Sequence, residues 1–187
     1  SGRLDALFNN GAYAIPGALE DIPSDALRGL FEANFFGWHT LTRAVVPHMR
    51  RQGHGRIVQC SSILGFMGMP YRGAYNASKF ALEGYSDTLR LELAGTGIRV
   101  SLIEPGPIAT RFTQNAMANF EKVIGEEGAA ASPHREIYER RLARMRAGEP
   151  SLFKLPARAV VKRLVHAVEA PRPRARHDRF RPSAAAH

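Results

Sequence analysis

Tyr75 and Lys79 stand four residues apart in the stretch GAYNASKFALEGYSDTLR (73–90). A phenol ordinarily keeps its proton up to about pH 10. An ammonium beside it favours the phenolate and lowers that value. A phenol tuned towards neutrality gives a proton to, or takes one from, an alcohol or carbonyl oxygen. On a helix, residues i and i+4 share one face as neighbours across one turn, so the pair calls for a helix starting near residue 73. The spacing alone is a weak signal, because roughly one chain in ten of this composition would carry it by accident. The competing reading is a surface lysine beside a half-buried tyrosine. Against it stands the choice of cation: the chain has 22 arginines and only four lysines. A guanidinium fork is a different tool from a compact ammonium, so the lysine is informative here.

Strands and helices must bring partners to this pair. LDALFNN (4–10) is a short apolar run ending in turn residues, as a buried strand does. Ser24 or Asp25 can cap a helix, and Leu27, Leu30, Phe31, Phe35, Trp38 and Leu41 follow at helical spacing. Pro47 should kink that helix, and RQGHG ends it. RIVQCSS (56–62) predicts a second buried strand and IRVSLIEPG (98–106) a third, with the quoted helix between them. Residues 107–150 read as irregular with short helices, and Pro156 opens a last helix, PARAVVKRLVHAVEA. Strands alternating with long helices predict an α/β fold with a parallel sheet covered on both faces.

In open parallel sheets, ligands gather beyond the carboxyl ends of the strands. Ser62 ends the second strand, NNGA (9–12) the first and PGPIAT (105–110) the third, while Asn34 lies on the first helix. Each has a plainer reading: a helix-breaking Asn34, a turn serine at Ser62, a simple Pro105–Gly106 turn. Cys60 reads as a small core residue. Phe66, Met67, Met69 and Phe112 suit an apolar substrate pocket or ordinary packing.

The ordered set NNGA, Asn34, Ser62, YNASK and PGPIAT resembles the short-chain dehydrogenase/reductase family in its classical form, over residues 3–170. The wording GFMGMPYRGAYNASKFALEGYSDTLRLEL is similar to the branch of steroid and retinol dehydrogenases and bacterial aldehyde reductases. The resemblance implies a doubly wound parallel-sheet Rossmann fold and an NAD(P)-dependent oxidoreductase interconverting an alcohol and a carbonyl. It implies Tyr75 as general acid/base. Lys79 would lower the tyrosine pKa and bind the nicotinamide ribose. Ser62 would polarise the substrate oxygen, with Ser61 as the adjacent alternative. Asn34 would hold a water of a proton relay. Asn9 would line the cofactor, and Pro105, Gly106, Ile108 and Thr110 would embrace the nicotinamide. It implies residues 107–150 as a substrate lid, a cytoplasmic setting, a small and apolar alcohol or carbonyl substrate, and a homodimer or homotetramer of the full-length protein. A sugar-nucleotide epimerase also uses a Tyr/Lys pair, but the Pro-Gly exit and short C-terminal region favour the dehydrogenase.

The sequence departs from the family pattern at its start. A Gly-rich turn between a strand and a helix would meet the cofactor pyrophosphate, and none is present. The expectation is therefore the C-terminal portion of the fold, lacking the first three strands, with the NAD-or-NADP selecting residue out of view. NNGA also inverts the family's usual Ala-Gly order.

The net charge of +9 belongs to residues 135–187, because residues 1–134 balance 12 basic against 12 acidic side chains. Residues 171–187, PRPRARHDRFRPSAAAH, read as a basic, disordered tail. No nucleic-acid motif accompanies the charge, so a basic nucleic-acid-binding protein ranks below the enzyme. A non-catalytic truncated chain unable to bind cofactor is the other alternative. The single cysteine points to a reducing compartment. No apolar run suggests a membrane span, and the histidine spacing suggests no metal site.

Overall fold

The computed structural model describes residues 2–146 and 154–178. Strands β1 (Ala6–Asn9), β2 (Gly55–Cys60), β3 (Ile98–Glu104) and β4 (Arg176–Asp178) form one sheet in the order β1-β2-β3-β4. Every neighbouring pair is parallel, with Asn9 opposite Gln59 and Cys60 opposite Ile103. Parallel neighbours need crossovers, and helices supply them. Helices α1 (Ser24–Phe31) and α2 (Gly37–Gln52) join β1 to β2. Helix α3 (Gly73–Glu92) joins β2 to β3. Helices α4 (Phe112–Val123), α5 (Gly125–Ala131), α6 (Arg135–Arg146) and α7 (Arg158–Glu169) lie between β3 and β4.

Alternation along the strands fills both faces. Ile57, Ile98 and Val100 pack with Met49 of α2 and Leu93 beyond α3. Val58 and Ile103 point the other way and pack against Ala167 of α7. Gly97, at φ +78°, lets the turn before β3 touch the turn after α2, since a Cβ there would meet the Gly53 carbonyl oxygen at 2.0 Å. The α/β fold and parallel sheet are as the sequence implies, and no described helix is long and apolar enough to cross a membrane.

Two expectations need correction. Residues 107–146 are more regular than expected, because α4, α5 and α6 occupy most of that stretch. Residues 147–150 of the expected lid lie outside the described residues. The expected disordered tail is a strand over Arg176–Asp178. Its stabilisation is ionic rather than apolar, so hydrophobic periodicity could not reveal it. The Arg176 guanidinium bonds Glu104 of β3 at 2.8 Å and also meets Glu83 and Asp87 of α3. Backbone bonds continue the edge just before β4: Leu102 donates to the Ala175 carbonyl at 2.8 Å. Residues 179–187 of the expected tail lie outside the described residues.

Candidate active site

Three strand ends meet the front of α3. Ser62 follows β2 in extended conformation and starts a short turn, where its hydroxyl accepts from the Leu64 amide at 3.1 Å. The Pro105 carbonyl after β3 accepts from the Ile63 amide at 3.1 Å, which ties the two strand ends together. Helix α3 begins at Gly73, so Tyr75 and Lys79 lie one turn apart near its start, as the spacing predicts.

Tyr75 is buried among Ala14, Leu64 and Ala116, and the Phe112 ring meets it edge-on with centroids 5.4 Å apart. The Ser62 hydroxyl lies near enough to the phenol to act to lower its pKa. Burial outweighs that and pushes the phenol well above the ordinary tyrosine range. The expected lowering by Lys79 is not found in this arrangement, where only Ser62 acts to lower the phenol pKa. Desolvation disfavours the phenolate, and the Lys79 ammonium lies 5.5 Å from the tyrosine ring.

Lys79 is 1 % exposed, which makes it one of the most deeply buried side chains. Its Nζ donates to the Cys60 carbonyl at 2.8 Å and sits 4.4 Å over the Trp38 ring. Burial pulls its pKa down to about 8, opposed by the charges of Cys60 and Glu83. An ammonium has three donors, and one carbonyl uses only one of them. No carboxylate forms an ion pair with Lys79 among the described residues. The remaining donors suit vicinal hydroxyls, so a ribose fits the lysine.

Asn34 lies in a π-helical turn, Glu32–Phe36, inserted between α1 and α2. Such insertions recur at functional sites. The wider turn buries Asn34 completely. Its Oδ1 accepts from the Tyr13 amide at 3.0 Å, and its Nδ2 donates to the Tyr13 carbonyl and to Ser78 Oγ. Ser78 in turn donates to the Tyr75 carbonyl at 2.9 Å. Asn34 thus reaches α3 beside Lys79 and braces the loop after β1.

Asn9 donates to Gln59 at 2.8 Å and to Thr42 at 3.3 Å, so its side chain is turned into the protein. It fixes the course of the backbone after β1. The Pro105 carbonyl also accepts from the Ser62 hydroxyl at 3.5 Å, and Gly106 follows it in the chain. Ile108 lies in a short pairing with Leu155, and the Thr110 hydroxyl accepts from the Phe112 amide at the head of α4. Ser61 Oγ is buried without a hydrogen-bond partner, whereas Ser62 Oγ is held by the Leu64 amide and lies near enough to act on the phenol. Ser62 is thus the better placed of the two serines.

Three contributions were not singled out in the sequence. Trp38 touches Lys79 and also donates to the Gly11 carbonyl at 2.9 Å. It is the only tryptophan and lies one turn beyond Asn34, which was the available signal. Asn76 binds the Leu64 and Met67 carbonyls at 2.8 and 2.7 Å and shapes the loop over Tyr75. The Cys60 carbonyl is a backbone group and leaves no residue-type signal.

A family model described as short chain dehydrogenase matches residues 1–120, and the chain belongs to that family. It is 49% identical over 129 residues to an oxidoreductase of Escherichia coli named YbbO, covering 68% of this chain and 48% of that protein. Human retinol dehydrogenase 8 is 41% identical over 117 residues, covering 63% and 38%. A solved structure from Beutenbergia cavernae, assigned as an NAD(P) dependent gluconate 5-dehydrogenase with bound NADP at low occupancy, is 32% identical with a TM-score of 0.59, covering 70% and 51%. The chain spans about half the length of the curated relatives it matches.

Proposed function

We propose that the chain is the catalytic portion of an NAD(P)-dependent oxidoreductase that interconverts an alcohol and a carbonyl. The observation that carries this reading is the convergence of Ser62 and Lys79 on Tyr75 at the carboxyl edge of the sheet. The nicotinamide, when bound, supplies or accepts the hydride. Tyr75 gives its proton to the carbonyl oxygen in reduction and takes it back in oxidation. Ser62 shares that oxygen and holds it near the phenol. Lys79 holds the ribose hydroxyls, and its charge favours the phenolate once the proton has left. Asn34, in the wider turn, holds a water that extends a proton relay from Lys79. Asn9 and the backbone it fixes line the cofactor, with Pro105, Gly106, Ile108 and Thr110 on the nicotinamide side. Residues 107–150 form the substrate lid.

The strand order supports a partial fold. A doubly wound sheet reverses its order at the cofactor crevice, and β1-β2-β3-β4 runs without reversal. The strands on the far side of β1 would carry the Gly-rich turn and the residue that chooses NAD or NADP. The same observation favours a competing reading, in which this chain alone binds no cofactor. In full-length form we expect a cytoplasmic homodimer or homotetramer acting on a small apolar substrate, with no nucleic-acid or membrane partner.

Titration of NADH and NADPH with this chain, followed by cofactor fluorescence, separates the two readings. Binding that Lys79→Met weakens supports the enzyme; no binding of either supports the inert chain. In a chain that turns over aldehydes, Tyr75→Phe should lower kcat/KM by about 10²- to 10⁴-fold, the range for lost acid/base catalysis. Unchanged turnover would remove Tyr75 from its role.

A further inference from the structure

A cavity of about 290 Å³ opens between the start of α3 and helices α4 and α6. Ala116 lines it and also packs against Tyr75, so the cavity begins one side chain from the phenol. Its charged lining is of one sign. Arg72, Arg141 and Arg144 border it, and no Asp or Glu does among the described residues.

Arg72 is three residues before Tyr75 and is only partly exposed. Burial and the neighbouring Arg141 both lower its pKa, and no carboxylate counters them. It makes no ion pair among the described residues. Arg141 stacks 4.4 Å over the Tyr71 ring. Tyr71 holds φ +63°, the only described residue other than glycine in that region. Such strain in a bulky residue persists where surrounding contacts impose it, and it clusters at ligand sites. Tyr138 lines the cavity too, and Asp21 bonds its hydroxyl while itself standing outside the lining. A buried guanidinium beside a like charge costs stability, and among the described residues no carboxylate forms an ion pair with Arg72 or Arg141. An oxyanion from outside would balance both.

We propose that this cavity is the far end of the substrate cleft and binds a carboxylate, so that the substrate is an aldehyde or ketone acid, or the matching hydroxy acid, with an apolar spacer. The inference rests on the reading of Tyr75 as acid/base. Arg72 and Arg141 hold the carboxylate; Tyr71, Ala116 and Phe120 cover the spacer; the carbonyl reaches Tyr75. Arginine pairs with carboxylates through two parallel hydrogen bonds, which fixes orientation as well as affinity.

The test is calorimetric titration of the chain, without nicotinamide, with ω-oxo carboxylic acids of increasing length and with their methyl esters. The best acid should bind at least about tenfold more tightly than its ester, in keeping with a charge-assisted hydrogen bond. Arg72→Gln should bring acid and ester to parity, and Arg141→Gln, on an outer helix, should narrow the gap without touching the start of α3. Tyr75→Phe should leave the gap intact. Equal binding of acid and ester, binding of neither, or a gap unmoved in both folded arginine variants overturns the proposal. Turnover is measured separately, so loss of the oxidoreductase reading shows as tight acid binding with no hydride transfer.

Discussion

Helix α3 buries two charged side chains one turn apart, and they live under opposite conditions. Glu83 faces a guanidinium: Arg176 bonds it, together with Glu104 and Asp87. Lys79 has a carbonyl and an aromatic face, but no carboxylate in ion-pair contact among the described residues. The pKa values record the difference. Carboxylates push Arg176 above its ordinary range despite burial, whereas burial pulls Lys79 down to about 8. A compensated charge secures an edge strand. A charge with no ion-pair partner keeps hydrogen-bond donors unused, and Arg72 belongs with Lys79 in this respect.

The sharpest test of this contrast is the pH dependence of stability. Between about pH 8 and 10.5 the unfolded chain still carries the Lys79 proton while the folded chain has released it. Folding therefore becomes more favourable as pH rises through that window. Below it both states are protonated and the penalty is complete; above it the penalty is gone. The rise from this one group should be about 3 kcal/mol at most, from 1.36 kcal/mol per pKa unit. Tyr75 acts in the reverse sense above pH 10, where the unfolded phenol ionises first and stability falls again. Chemical denaturation from pH 7 to 11 should show the rise and the fall. Lys79→Met should keep only the fall. A rise that survives the substitution would mean that Lys79 is hydrated or paired in solution.

The other half of the contrast predicts a somewhat smaller loss. Arg176→Ala leaves Glu83 and Glu104 in place without this partner. Removing one partner of a buried pair costs about 3–5 kcal/mol. Arg176 is 38 % exposed, so water tempers the effect and roughly 2 kcal/mol is expected. Adding Glu83→Gln should recover part of it. Loss of stability confined to β4, seen as faster amide exchange at Leu102, would localise the effect. No change in either measure would make the cluster a surface ornament.

The sequence revealed these two regions unequally. Strands β1 to β3 and helix α3 were legible because apolar periodicity and turn residues mark them. The placement of Tyr75 and Lys79 one turn apart on α3, and of Ser62 at the end of β2, was legible from spacing and from their order. Strand β4 was not, since its residues are Arg, His and Asp and its partners Glu83 and Glu104 lie far away in sequence. The helices between β3 and α7 were underestimated, because Ala, Glu and Arg give them little periodic contrast. The roles of Trp38 and the Cys60 carbonyl depend on where α2 and β2 meet, which spacing along one chain does not encode. The arginine-lined cavity joins residues 72 and 141, again a property of packing alone.

The smallest expected effect separates two adjacent serines. Ser61 Oγ is buried without a partner, so its removal leaves no lost hydrogen bond. Ser61→Ala should change stability by less than about 0.5 kcal/mol, or raise it, because an unpaired buried hydroxyl is itself a cost. Ser62 accepts from the Leu64 amide and reaches the Tyr75 phenol. Ser62→Ala should cost roughly 1 kcal/mol by leaving that amide unpaired. It should also remove the one neighbour that lowers the phenol pKa. Ultraviolet titration should then place Tyr75 ionisation higher in Ser62→Ala than in Ser61→Ala. The reverse order would make Ser61 the phenol's partner, and with it the residue that holds the substrate oxygen.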